Sequence, residues 1–332
     1  MPSLAESVDA IVLTTGFSGV VSVRTGDTVA LEAAYGLANR ADEIPNTLDT
    51  RFGIASGTKG LTALTVMGLI EAGVFELATT ARSILGNDLP LIDRSVTIEA
   101  LLAHRSGIGD YLDEELVEDL DVWPFAAPAH TFTVAADYLA VLDGHPQKFA
   151  PGSRFSYCNG GYVVLALICE RATGAGFHEL VRDRVCEPAG MTATAFLAMN
   201  KLPADTARGY LDDGRENTAN LPRCGSGDGG IFSTVADIGA FWSALFAGTV
   251  VSAESVATME APRSEVPWEH KRYGLGFWLH PTSPVVMLEG LDAGVSFRSN
   301  HDPVRNRTAT VISNTADGVW PIVRHLEESL TI

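Results

Sequence analysis

Ser56-Gly57-Thr58-Lys59 sets a hydroxyl and an amine three residues apart, at the start of a stretch whose apolar residues Leu61, Leu64, Met67 and Ile70 recur at helical spacing. On a helix such a pair shares a face, with Cβ atoms about 5–6 Å apart, which lets the two side chains hydrogen-bond. A serine hydroxyl is a weak nucleophile until a base removes its proton. Lysine can be that base only where burial or a nearby cation lowers its pKa. The helix N-terminus works in the same direction, disfavouring the ammonium and stabilising an oxyanion at its free amides. The plain structural alternative is a capping serine followed by a solvated lysine. The chain has only four lysines, Lys59, Lys148, Lys201 and Lys271, so a lysine in this spacing is rarely accidental.

A second constellation lies about a hundred residues on. Tyr157-Cys158-Asn159 is the one Y-x-N among seven tyrosines and sits in PGSRFSYCNGGY, a turn-rich stretch before a helical pattern. Beside a lysine, Tyr157 could act as base for the serine or as the acid that protonates a leaving group. Asn159 offers a donor and an acceptor, enough to orient both the lysine and a substrate amide. Alone, the pair reads more readily as an interfacial tyrosine and a helix-capping asparagine; its place after the Ser56–Lys59 pair turns the reading toward chemistry.

These residues need elements to hold them. Residues 4–13 form an amphipathic first helix, and SGVVSVRTGDTVALEAAYG alternates on both sides of Thr25-Gly26-Asp27-Thr28, which predicts a β-hairpin with one buried face. The Ser56 helix ends at Gly73, Thr97 caps IEALLAH, and residues 85–225 read mostly as helix and loop, with a helix over 161–173. After GSGDGGIFS a helix runs from Thr234 to about Phe246. Strands then return in YGLGFWLH, PVVMLEG, GVSFRSN and RTATVISN before a closing amphipathic helix, VWPIVRHLEESL. The order predicts an α/β (α+β) fold: an antiparallel sheet of five or more strands from both chain ends, residues 1–85 and 226–332, with the terminal helices on one face. A mostly helical region, 86–225, is inserted between them, and the active site is expected in the cleft where the two meet.

Composition narrows the function classes. The 332 residues carry 23 basic and 41 acidic side chains, a net charge of −18, which disfavours nucleic acid and anionic membrane surfaces as partners. Cys158, Cys169, Cys186 and Cys224 show no metal or disulfide spacing and read as reduced core thiols. There is no basic leader and no apolar run long enough to cross a bilayer, so the expected location is cytoplasmic, where the sequon at Asn306 has no consequence. No H-E-x-x-H or H-x-H pattern supports a metal, and no cofactor is expected. The formal G-x-G-x-x-G at 225–230 lacks a preceding strand and reads as a flexible turn beside the cleft. No G-x-S-x-G elbow exists. His104, near a helix C-terminus, reads as structural and favoured there by the dipole. Asp110, Tyr111 and the acidic run 113–123 read as a solvated edge, while Trp123, Phe125, Phe277 and Trp278 are candidates for an acyl pocket, with core packing the default for each.

With these motifs in place, the sequence resembles the serine β-lactamase and penicillin-binding-protein superfamily, particularly its class C β-lactamase-like esterase and peptidase branch. The resemblance runs from RFGIASGTKGLTAL through LLAHRSGIGDY, PGSRFSYCNGGY, CEPAGMTATAF and GDGGIFSTVADIGAFW to YGLGFW. It implies a β-lactamase-like fold, Ser56 as the acylated nucleophile, Lys59 as its base partner, Tyr157 as proton shuttle and Asn159 as positioning amide. The family's third motif is a lysine or histidine, any residue, then glycine. Here Leu288-Glu289-Gly290 matches it, with the glycine present and the cation absent. In the family that cation is implicated in binding a substrate carboxylate and in setting the tyrosine's protonation. Leu288 can do neither, Glu289 facing the cleft would repel an anion, and Arg298 or His301 is an alternative source of the charge. The same resemblance implies an oxyanion hole from the Ser56 and Leu291 amides, with Gly290 allowing close backbone approach. The expected activity is therefore a serine esterase or amidase acting on a small uncharged ester or amide. The alternatives are a β-lactamase or D-amino-acid-specific peptidase or amidase, and a non-catalytic binding or assembly module.

Overall fold

The computed structural model describes residues 2–114 and 127–330; Trp123, Phe125 and the acidic run beyond Glu114 lie outside the described residues. The chain opens with α1, Leu4–Thr15, capped by Ser3 through a reciprocal bond with Glu6 and ended by left-handed Gly16. The hairpin follows as β1, Gly19–Thr25, and β2, Thr28–Tyr35. The buried helix α2 spans Thr58–Glu71, α3 spans Asn159–Thr173 and α4 spans Val235–Phe246, capped by Thr234. The C-terminal third supplies β3, Ser264–Val266, β4, Lys271–Tyr273, β5, Trp278–Leu279, β6, Val286–Asp292, β7, Val295–Asp302 and β8, Arg307–Ser313. Helix α5, Val319–Leu330, closes the chain.

The main sheet has eight antiparallel strands in the order β2-β1-β8-β7-β6-β5-β4-β3. YGLGFWLH, expected as one strand, is two short ones: Gly276 adopts φ +88 and Gly274 N–H bonds to Phe277 O, so the chain turns back between Tyr273 and Trp278. Alternation along each strand splits the apolar residues between the two faces. Val21, Val23, Met287 and Val311 pack with Val319, Ile322 and Leu326 beneath α1 and α5. Val20, Leu288, Phe297 and Ile312 join the larger core that contains α2, α3 and α4. The sheet is thus the middle of three layers.

That layering decides where the third-motif position points. Leu288 is buried against α2: a Cβ on Gly60 would overlap its Cδ2 and sit 3.1 Å from Phe277. Gly60 lets helix and sheet approach this closely, so Leu288 is a core residue and no cleft residue. His301 is also remote, stacked on Trp242 and Phe246 in the same core.

Leu288→Ala is expected to lower stability by about 2–5 kcal/mol by leaving a cavity, and Gly60→Ala by about 1–3 kcal/mol through overpacking. In the double variant the new methyl enters the vacated space. Denaturant unfolding should therefore give a combined loss smaller than the sum of the two; an additive result would refute this contact.

Candidate active site

Ser56 lies in a 3₁₀ turn, Ala55–Gly57, that leads into α2. Ala55 holds φ +44, a left-handed conformation that costs free energy for a residue with a Cβ. Ser56 stays partly exposed, whereas Lys59, one turn further into the core, is 2% exposed.

Three acceptors surround the lysine. Lys59 Nζ lies 2.8 Å from each of Ser56 Oγ, Asn159 Oδ1 and the Asp228 carbonyl. The asparagine is held so that its oxygen faces the lysine, because its amide nitrogen donates to Leu112 O and to Glu114 Oε1. Its backbone is fixed as well: Asn159 N–H and Gly160 N–H both donate to the Asp110 carboxylate at 2.7 Å, which caps α3 from a distant part of the chain. Asp110 and Tyr111, expected at a solvated edge, are thus part of the packed site. Asp110 is buried, and Tyr111 donates to Asp228 Oδ2 at 2.5 Å. The glycine-rich turn is packed too, since a Cβ on Gly227 would overlap Tyr162 O.

Burial pushes the Lys59 pKa below its ordinary 10.5, opposed by the charges of Asp228, Glu114, Asp110 and Asp292. A neutral amine has two N–H donors and one lone pair. Asn159 Oδ1 and Asp228 O can only accept, so they take both donors and leave the lone pair toward the Ser56 hydroxyl. Tyr157 shifts the other way: burial, then the Glu114 charge, holds its pKa well above 10 despite a hydrogen bond with Ser56, and the phenol keeps its proton at neutral pH. Its ring is clasped by His104, with centroids 4.2 Å apart, and stacked on Trp278 at an interplanar angle of 8°. His104 accepts from Cys158 N–H through Nδ1, and burial together with the Lys59 charge holds it neutral. The dipole reading, which favours a cationic histidine, is therefore corrected to a neutral aromatic support.

Strand β6 passes directly in front of the serine. A Cβ on Gly290 would overlap Ile54 O and lie 2.9 Å from Ser56 N, so any side chain there would fill the space before that amide. The two-residue turn at 293–294 makes Asp292 and Val295 the closing hydrogen-bonded pair. Leu291, opposite Ser296, then falls in the non-hydrogen-bonded register with its N–H turned away from β7. A cavity of about 570 Å³ opens here, lined by Ser56, Tyr157, Trp278, Glu289, Gly290 and Leu291 among others. Trp278 therefore lines the cleft, whereas Phe277 is core. The arrangement can deprotonate a serine, hold an oxyanion between two amides and return a proton from a phenol. The Asp228 carbonyl, the Asp110 cap and Glu114 carried no signal in the sequence, because each acts through a contact made only in the folded chain.

The whole chain also compares closely with known proteins. The beta-lactamase family model matches residues 6–325. Penicillin-binding protein 4* of Bacillus subtilis is 28% identical over 286 residues, 81% of this chain and 60% of that protein. A D-aminopeptidase of Brucella anthropi is 28% identical over 274 residues, 80% of this chain and 50% of that protein. This chain thus spans only about half to three fifths of the length of these relatives. The crystal structure of a penicillin-binding protein from Bacillus halodurans superposes with a TM-score of 0.90 at 33% identity, covering 97% of this chain and 99% of that one.

If Lys59 is the group that activates Ser56, covalent labelling of Ser56 by a fluorophosphonate should accelerate as pH rises through a limb below 10.5. Glu114→Gln withdraws a carboxylate that favours the ammonium, so the limb should move to lower pH. An unmoved or upward-shifted limb in the labelling-rate profile would contradict the electrostatic account.

Proposed function

The chain belongs to the beta-lactamase family, and on that premise we propose that it is an acyl-enzyme hydrolase of small esters or amides that carry no carboxylate beside the scissile bond. The observation that carries this reading is the lysine whose two other partners can only accept, which in the neutral amine leaves its lone pair for Ser56. In this mechanism Lys59 takes the Ser56 proton as Oγ attacks the carbonyl, and the amides of Ser56 and Leu291 hold the oxyanion. The proton on Lys59 returns by way of Tyr157 to the departing alcohol or amine. Water activated by the same pair then releases the acyl group from Ser56.

The preference against carboxylates rests on the third-motif position. Leu288 is turned into the core, Glu289 faces the cleft, and Arg298, the expected alternative cation, is already paired with Glu289 and Glu327. An anionic substrate group would find no cation at the motif's own position and a carboxylate in the lining of the cavity. The penicillin-binding and D-aminopeptidase names of the relatives keep β-lactam and D-amino-acid substrates as competing outcomes of the test, alongside a module that binds without turnover.

Ser56→Ala should abolish hydrolysis of short-chain nitrophenyl esters and fluorophosphonate labelling, and hydrolysis that persists in that variant would overturn the mechanism. Lys59→Met should lower kcat/KM by about 10²–10⁴-fold, the range of a lost general base. Intact-mass measurement after mixing with an ester and with a penicillin separates the readings. Rapid ester turnover supports this proposal, penicillin hydrolysis supports a β-lactamase, and a stable adduct without turnover supports a binding module.

A further inference from the structure

The β6 wall of the cleft carries one carboxylate in an unusual state. Glu289 is 21% exposed and lines the cavity beside Glu269, Trp268 and Trp278. Both cations that reach it use the same oxygen: Lys271 Nζ lies 2.8 Å from Oε2, and Arg298 Nη1 pairs with Oε2 as well. Among the described residues no hydrogen bond is donated to Oε1. Lys271 comes from β4 and is held over the Trp278 ring at 5.0 Å, with Glu269 at 3.6 Å. Arg298 is tied also to Asn300 and Glu327. Glu269, Glu289 and Glu327 set against Lys271 and Arg298 leave one negative charge on this wall. A substrate in the cavity shares it with the Glu289 carboxylate, the Trp278 indole and the 68% exposed Trp268, whereas Lys271 and Arg298 are not among its lining residues.

A carboxylate next to aromatic faces is the chemistry that receives an ammonium, through charge-assisted hydrogen bonds and the negative π-face of indole. Anchoring Oε2 on two cations fixes the rotamer, so little entropy remains to be lost when Oε1 takes a donor. We propose that Glu289 is a specificity-determining residue whose Oε1 receives an ammonium group on the substrate, so that esters or amides bearing a primary amine away from the scissile carbonyl are preferred over those bearing a carboxylate. This rests on the reading of the cleft as a hydrolase substrate site, but its binding step does not depend on turnover.

Two measurements test it. First, tryptophan fluorescence titrations with pentylamine and with pentanoate should show the amine binding roughly tenfold tighter, with the difference shrinking at high salt and in Glu289→Gln. Second, nitrophenyl esters of equal length ending in ammonium or carboxylate should differ by about tenfold or more in kcat/KM. That ratio should fall about tenfold in Glu289→Gln, mainly through KM, and rise in Lys271→Met, which removes a competing positive charge. Each ratio is taken within one preparation, so partial loss of folded protein cancels. Equal or reversed preference in either assay, or ratios that Glu289→Gln leaves unchanged, would overturn the proposal. Glu289-dependent amine binding without any ester turnover would instead sink the hydrolase reading and leave this one standing.

Discussion

The site depends on a lysine kept out of water. Removing an ammonium from solvent is costly, and a folded protein meets that cost either by pairing the charge or by letting the group go neutral. Around Lys59 both tendencies act together: burial lowers its proton affinity while four carboxylates raise it. The acceptors at Asn159 and Asp228 resolve the contest in space, because whichever protonation state is present, two N–H groups are committed away from the serine. The remaining position on nitrogen faces Ser56, where it can give or take a proton.

Much of the surrounding architecture follows from holding those acceptors still. Asn159 opens α3, yet its orientation is set by Asp110, Leu112 and Glu114 from the loop after the Thr97-capped helix. The Asp228 carbonyl belongs to a turn packed on α3, with Gly227 against Tyr162 and its carbonyl accepting from Thr62 of α2. Tyr157 is clamped between His104 and Trp278, which joins the helical side of the cleft to the sheet. A displacement in any of these parts reaches the lysine through at most two contacts.

The sheet contributes closeness rather than charge. At Gly60 a side chain would force α2 from β6, and at Gly290 it would force β6 from the Ile54–Gly57 backbone that carries the serine. Leu288 fills the first gap as a hydrophobic residue, and Glu289, pointing to the opposite face by strand alternation, becomes the group that the cleft presents. A leucine at the position where the motif has a cation thus makes sense as packing, with the charge pattern of the wall moved one residue along and onto neighbouring strands.

The identities of Ser56, Lys59, Tyr157 and Asn159 and the three-residue spacing were legible in the chain itself, since helical periodicity alone puts Ser56 and Lys59 on one face. The hairpin, the cap at Thr97, the helix starting at Thr234 and the amphipathic closing helix were legible for the same reason, because their signals are local. The rest required tertiary structure. The break in YGLGFWLH depends on a positive-φ glycine between two short strands, and the burial of Asp110 and Tyr111 depends on a helix N-terminus fifty residues away. Composition could not show that His104 is neutral, because desolvation is a property of the packed surroundings. Nor could it show which way Leu288 and Glu289 face, because that is set by the register of β6 between its neighbours and the close approach of α2.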